Sequence, residues 1–531
     1  MRAAKERPVT FMRRGQVTSK GLAIRPTRQR RLRWFASVSA LMLAVALSGC
    51  GTRETQSAIK AADTVLASPD DTSGVSGSAS TGASQSAGGS TSTNGASTVP
   101  SGGSSPSSGA SSTSGGASTT GSGSTSNVAT SSGTSQSHSA STGGSSASTS
   151  ATPGQTEAVG LTSCTPATGS PVAIGNTGTY SGVIGAVFAP ALTGLQIWVD
   201  AANACGGLNG HQIKLYSADD QGDPSTALTE TEQQVQTDHV IAEVSVFSPF
   251  SAPTVLPYLE QQGIPEIGGC NCAPQAQWWG SGDVFPAGAG WNAYGAAPAI
   301  MAHAAGHQKV AIYYCIEAPS QCQSLAQNSA TEAQQLGMQV VDQEAVSLTA
   351  PSFAAQCQAA QSAGATALLV YLDGGSIQRF ADDCVSSLNY KPQFFTVGLA
   401  ITPQVVSDSN LNGLEAPSQT FPWSYGGTPA TAAYQNAIKT YDSGFSSAGP
   451  AAASWASGVL AQVGSLDLSA SNPTPAQFVH GLQSLKNESL GGLVAPASYG
   501  PNGATPPTCV FVNEMQNNQW TAPDGMQQLC G

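Results

Sequence analysis

The sequence predicts an α/β protein built as two lobes, each a parallel sheet covered by helices. Three observations carry this. From Pro171 onward, apolar runs of strand length alternate with amphipathic stretches of helix length. The strand runs are hydrophobic, as strands covered on both faces are. The alternation comes in two successive sets, the second beginning after Asn292, so two sheets are expected.

The first set reads strand Val172–Gly175, helix Pro190–Ala204, strand Gln212–Ser217, helix Pro224–Thr237, strand Val240–Val246, helix Ala252–Gln262 and strand Ile264–Gly268. Asp223 before Pro224 is an N-cap followed by proline at the first helical position, a common helix start. The second set reads helix Tyr294–Ala305, strand Lys309–Tyr314, helix Gln321–Leu336, strand Gln339–Val346, helix Phe353–Ala363, strand Ala367–Leu372, helix Ile377–Leu388 and strand Gln393–Val397. Three more helical segments follow, Ala430–Tyr441, Ala451–Leu466 and Pro475–Leu485, and then a β-like tail with a turn at 499–503. The late helices can return to the first lobe, which would cross the chain between lobes several times. Ligands of open parallel sheets bind outside the carboxyl ends of the strands, so two facing lobes would form a cleft.

What precedes Pro171 is of another kind. The chain has 531 residues, 60 of them glycine, and only 9% are charged, far below the roughly 25% of a typical soluble domain. Residues 1–33 are basic, and Phe35–Leu47 is an apolar run too short to span a bilayer. A basic stretch, a short apolar run and small residues make a secretory signal. Between Thr72 and Ser150, 60 of 79 residues are Ser, Gly or Thr. Such a segment has too little apolar surface to offset its ordering entropy. As a flexible coil it would reach roughly 50 Å. The expected organisation is a signal peptide over 1–49, a disordered tether over 50–160 and a folded domain over 161–531. Within that domain, lobe 1 takes about 171–290 and 420–490, and lobe 2 about 292–418 and 492–531.

Charge is also divided. Residues 1–50 hold 11 of the 19 Lys and Arg, leaving the rest of the chain at a net −22. So acidic a body argues against nucleic acid as a partner, since phosphate affinity comes largely from Lys and Arg.

Two resemblances follow from short motifs. Leu47-Ser48-Gly49-Cys50 resembles the lipobox of bacterial lipoproteins, which implies a lipid on Cys50 and anchoring at the extracytoplasmic face of the cell membrane. An ordinary signal peptide with a chance Cys is the alternative. The stretch 172–182 (VAIGNTGTYSG), the turn 206–210 (GGLNG), the loop 218–224 (ADDQGDP) and the closing 498–503 (SYGPNG) resemble, in order, segments of leucine/isoleucine/valine-type periplasmic binding proteins. That resemblance covers about Pro171 to Phe511. It implies the type I periplasmic binding protein fold: two Rossmann-like lobes, an interlobe cleft, three crossovers and hinge closure on a small ligand. It also implies delivery to the permease subunits of an ABC importer. The alternative within the same fold is a ligand-sensing lipoprotein that signals to a membrane receptor.

Candidate ligand contacts lie in the loops after the expected strands. Ser248, Phe250 and Ser251 precede a helix, where hydroxyls and free N–H groups can hold a carboxylate; capping by Ser251 is the structural alternative. The next loop carries Cys270-Asn271-Cys272 where the resemblance implies backbone and hydroxyl contacts, so ligand identity does not carry over. Tyr180 in the first loop, and Trp291 and Tyr294 at the first crossover, can wall a cleft or pack a hinge. Glu317 and Asp373 follow strands of the second lobe. Asp373 can serve a ligand ammonium or form a turn before Gly374-Gly375. The acid that amino-acid-binding relatives carry after a later strand, near Gly398-Leu399, is missing here. Only six basic residues follow Gly160, and apart from Arg379 none falls in an expected cleft loop. A small neutral or zwitterionic ligand therefore fits better than a polyanion; the resemblance implies one like a branched-chain amino acid.

Setting Cys50 aside leaves ten cysteines, an even number as an exported disulfide set requires. Sequence allows many pairings; the placement of the expected elements narrows them to Cys164–Cys205, Cys315–Cys322, Cys357–Cys384 and Cys509–Cys530, with Cys270–Cys272 left over. Zinc at Cys270 and Cys272 is the rival. Asp219, Asp220 and Asp223 resemble a metal loop less than a helix start, and His303 and His307 at i, i+4 fall away from the expected cleft side. No cofactor or metal is expected. The Gly-x-Ser-x-Gly elbow, a phosphate loop and a dinucleotide fingerprint are absent, so catalysis is not expected.

Overall fold

The computed structural model describes residues 164–531. The signal peptide, Cys50 and the tether lie outside the described residues.

The first sheet contains β1 (Val172–Gly178), β2 (Ile213–Asp219), β3 (Glu243–Val244), β4 (Glu266–Ile267) and β5 (Val284–Phe285). All are parallel, in the order β2-β1-β3-β4-β5. Helices α1 (Gly185–Ala204), α2 (Pro224–Gln236), α3 (Ala252–Gln262) and the short α4 (Gln275–Trp279) connect them. Asp223 caps α2, accepting from the N–H groups of Ser225 and Thr226. α1 begins five residues before the expected Pro190, which sits inside it and forgoes one backbone rung.

The second sheet contains β6 (Lys309–Cys315), β7 (Gln339–Val346), β8 (Ala367–Tyr371), β9 (Gln393–Phe395) and β10 (Glu415–Ser418), all parallel in the order β7-β6-β8-β9-β10. β11 (Cys509–Gln516) adds antiparallel to β10, and β12 (Gln519–Thr521) and β13 (Gln528–Cys530) both pair with β11. Helices α5 (Trp291–Ala304), α6 (Pro319–Gln335), α7 (Ala354–Ala363) and α8 (Gly374–Ala381) belong to this half. α8 continues into a wider turn over Asp382–Ser387.

Three helices follow β10: α9 (Pro429–Tyr441), α10 (Gly449–Gly464) and α11 (Pro475–Ser484). They pack on the first half. Every residue of α10 is buried, as expected of a helix that is apolar all round. Small residues let it approach α1: a Cβ on Gly194 would overlap the Ala451 backbone, and one on Gly458 would overlap the Trp198 indole. The indole N–H of Trp198 donates to Gln462.

The chain thus passes between halves three times, and the crossing segments bond to one another. Ala289 N–H donates to the Gln419 carbonyl at 3.0 Å, Gly290 to Pro507 at 2.8 Å and Phe421 to Leu493 at 2.7 Å. The five disulfides are Cys164–Cys205, Cys270–Cys272, Cys315–Cys322, Cys357–Cys384 and Cys509–Cys530.

Candidate ligand-binding cleft

A cavity of about 80 Å³ lies between the two halves. Its walls are loops and helix starts that follow the carboxyl ends of parallel strands in both sheets, where such sheets bind ligands. From the first half come Ile184, Phe188, Pro249 and Cys272; from the second, the end of β6 and first turns of α6 over 315–325 and the segments 371–373 and 397–400, together with Leu348. The lining is largely apolar. Gln321, Asp373 and Tyr371 belong to the lining with their polar atoms turned to protein partners: Gln321 to Pro249 and Ala273, Asp373 to Gly375 and Ser376, and Tyr371 to Ser329. Two disulfides flank the space, Cys272 from one half and Cys315 and Cys322 from the other.

Gln321 joins the halves. Its side-chain N–H groups donate to the Pro249 carbonyl at 3.1 Å and the Ala273 carbonyl at 3.3 Å, both across the cleft. Gln321 is buried, so each bond is shielded from competing water.

Asp373 caps α8, accepting from Gly375 N–H at 3.1 Å and from the Ser376 hydroxyl, and also lines the cavity. Trp291 starts α5 and lines it too, held by its indole N–H on the Ser324 hydroxyl at 2.7 Å. The structure brings these two sequence-derived residues to one space, with Cys272 beside Asn271.

The others stand around it. The Tyr294 hydroxyl accepts from Leu399 N–H at 2.8 Å, which positions a lining residue; burial holds its phenol above the ordinary range. Glu317 accepts from Leu348 N–H at 2.9 Å and Ser347 at 2.6 Å, fixing the loop that carries Leu348. Asn271 is buried: it donates to the Ala289 carbonyl and accepts from the Trp279 indole, both at 2.7 Å. Phe250 is half-buried against the core. Tyr180 donates to Asn176 at 2.7 Å, and burial raises its phenol.

Ser248 and Ser251 have another partner. Both hydroxyls donate to Asp220, which also accepts from Thr179 at 2.7 Å and from Gly222 N–H at 2.8 Å. Asp220 is a buried hub that organises the loops above the first sheet. Asp219 accepts from the N–H groups of Tyr180, Ser181 and Gln221. These bonds outweigh its partial burial and lower its carboxyl. Arg379 donates to the Leu348 carbonyl at 2.6 Å and to Ser376, so its charge is committed behind the wall. His307 bridges Thr366 and Gln393 at the amino ends of β8 and β9, away from the cleft. Among the described residues no group of three or more His, Cys, Asp or Glu is gathered as for a metal ion.

Sequence reasoning missed Gln321, Leu348 and Leu399. Gln321 sits inside the short Cys315–Cys322 loop, a closed ring at a strand–helix junction, which was the available signal. Leu348 carries no chemistry that a sequence pattern flags, and Leu399 stands where the resemblance implies an acid that this chain lacks.

The family model for periplasmic binding proteins matches residues 171–523, and the chain belongs to this family. The fold is shared with solved structures at low identity. One is an ABC transporter solute-binding protein from R. palustris in complex with benzoate, 14% identical, TM-score 0.56, covering 68% of this chain and 98% of that one. Another is the leucine-binding protein LivK from Thermotoga maritima, 16% identical, TM-score 0.54, covering 66% and 97%. A third is an ABC transporter substrate-binding protein from Sphaerobacter thermophilus, 17% identical, TM-score 0.58, covering 68% and 98%. No curated protein matches the chain. Among the described residues no helix is long and apolar enough to cross a membrane.

Proposed function

We propose that the chain is an extracytoplasmic substrate-binding protein of an ABC importer, anchored by a lipid on Cys50. In this reading it closes its lobes over a small ligand with an apolar body and one donor group, either neutral or an ammonium, and catalyses nothing. The interlobe cavity carries the reading: apolar walls, a carboxylate at Asp373 that caps α8 and has only its remaining lone pairs to offer a ligand, and a buried amide at Gln321 that already ties one lobe to the other. Apolar pockets with a few placed polar groups are the usual form of a small-molecule site. A branched-chain amino acid supplies the apolar body and an ammonium for Asp373. Its carboxylate would need donors, and Ser248 and Ser251 commit theirs to Asp220. An apolar amine, amide or alcohol therefore fits better than the free amino acid. Trp291 and Asp373 are the ligand contacts we favour; Tyr294 and Glu317 act through the loops they hold.

Thermal-shift screening of the purified full chain, cleared of co-purified ligand, tests this. The panel contains branched-chain amino acids, their amides and amines, aliphatic and aromatic alcohols, sugars and phosphates. A ligand at 100 times its Kd adds about 2.7 kcal/mol, and the largest shift is expected from the apolar amines, amides or alcohols. No shift at all, or a larger one from sugars or phosphates, overturns the reading. Separately, Cys50→Ala should move the protein from the membrane fraction to the soluble one.

A further inference from the structure

A second space lies inside the first half, away from the cleft. It is a chamber of about 10 Å³, lined by Glu243, Glu266, Thr231, Thr177, Ser248 and Ser251 with three apolar neighbours. That is room for about one water-sized particle. Glu243 and Glu266 are direct partners on neighbouring parallel strands, so both side chains leave the sheet on one face. They are 1% and 2% exposed. Both carboxylate oxygens of Glu243 and one of Glu266 lack a hydrogen-bond partner. Thr231, which reaches the chamber from α2, is fully buried and its hydroxyl is also unpartnered. The backbone makes room for this arrangement: a Cβ on Gly175, the β1 partner of Glu243, would overlap the carboxyl group.

Two carboxylates cannot be buried bare, because the charges cost far more than the fold can offset. No Lys, Arg or His lines the chamber. The neutralising charge must come from protons or from a bound cation. Thr231 favours a cation: its hydroxyl comes from a different element, lines the same chamber and bonds to neither acid, which leaves a gap that an ion would bridge.

We propose that this chamber is a cation site, in which Glu243 and Glu266 supply the charge and Thr231 a hydroxyl oxygen to one hard divalent cation of the calcium type. The polar donors are all oxygen, which selects a hard cation over zinc or copper. Two carboxylates balance a charge of +2. Magnesium keeps several of its waters, for which the chamber has no room, whereas the six to eight oxygens of calcium can come from the lining itself, where the hydroxyl oxygens of Ser248, Ser251 and Thr177 stand with the acids and Thr231. Occupancy would tie β3 to β4 directly beneath the Ser248–Ser251 turn. That turn carries Pro249, whose carbonyl receives the Gln321 bond across the cleft.

The test uses the full chain, stripped with EDTA and then exposed to CaCl₂, MgCl₂ or NaCl at neutral pH. Calcium per chain is read by atomic emission, and stability by thermal midpoint. One calcium per chain is expected, with a midpoint that rises a few degrees at a hundredfold excess over Kd and responds less to magnesium or sodium. In Glu243→Gln/Glu266→Gln the bound calcium should vanish, and with it the calcium response. Wild-type protein that regains no calcium and melts alike in EDTA and millimolar calcium overturns the proposal. So does calcium that persists in the double variant, which places it elsewhere. An infrared band of protonated carboxyl at neutral pH in calcium-saturated protein, lost in the double variant, identifies a proton-sharing pair and also overturns it. If the double variant does not fold, wild-type stoichiometry and melting decide alone.

Discussion

Replacing Gln321 with leucine removes both donors that join the halves and keeps a side chain of similar bulk. The two bonds, at 3.1 and 3.3 Å, reach backbone carbonyls in a buried setting. A net contribution of about 1 kcal/mol each makes the loss about 2 kcal/mol. That loss falls on the closed form alone, since Pro249 and Ala273 belong to one half and Gln321 to the other. Binding that requires closure should weaken by about thirtyfold, chiefly through faster release. The two bonds lie at the cleft and not within the packing of either sheet, so global stability should change less than affinity does. The assay is titration calorimetry with whichever ligand gives the largest melting shift, alongside small-angle scattering of the unliganded protein. The variant should show a larger radius of gyration before ligand is added. An affinity within threefold of wild type, with unchanged scattering, would refute the idea that this amide latches the cleft.

Four further outcomes follow from the same geometry. Asp373→Asn keeps a good helix cap and removes the carboxylate, so stability should hold within about 1 kcal/mol while affinity for an amine ligand falls tenfold or more in the same titration. Glu415 is half-buried on β10, and burial, helped by Glu514 opposite and by Asp524, lifts its carboxyl to about 7 against the bond from Gln393. A raised carboxyl pKa means the folded state keeps its proton longer than the unfolded chain. Stability should therefore be lost as pH climbs from about 4.5 to about 7 and then level off; allowing for solvent screening, Glu415→Gln should recover about 1–2 kcal/mol at pH 7.5 by denaturant titration. Opening the buried Cys357–Cys384 link, which closes a loop of 27 residues, with paired alanines should cost about 3 kcal/mol, seen as a lower denaturation midpoint. Gly458→Ala should destabilise by about 1–3 kcal/mol despite alanine's better helix propensity, because the new methyl meets the Trp198 indole; a stabilised variant would mean that the two helices can part freely.

Periodicity made most elements legible before any coordinates. The 3.6-residue pattern of Ala252–Gln262 and the eight-residue run Gln339–Val346 match the observed α3 and β7, because amphipathic spacing and strand length are local properties. What escaped was short or non-local. α4 has five residues and β5 two, too few to show a period. β10, ending in Ala416-Pro417-Ser418, lacks a strand's hydrophobic run and exists because β9 and β11 flank it.

The cleft divides along the same line. Trp291 and Asp373 were visible as an aromatic at a crossover and an acid after a strand, and both reach the cavity. The hydroxyls of Ser248 and Ser251 looked equally available, yet Asp220, about 30 positions away in the chain, takes both. No local pattern announces such a contact. Glu243 and Glu266 read as single acids in separate strands until sheet register made them neighbours. By itself, then, the sequence determined the leader-like start, the polar stretch, the α/β alternation and the even cysteine set, all of which follow from composition and spacing along the chain. Only the tertiary structure decided which polar groups face the cleft, which are consumed by one another, and which two acids share a buried chamber. Hydrogen bonds and burial are satisfied across space, where separation along the chain carries no information.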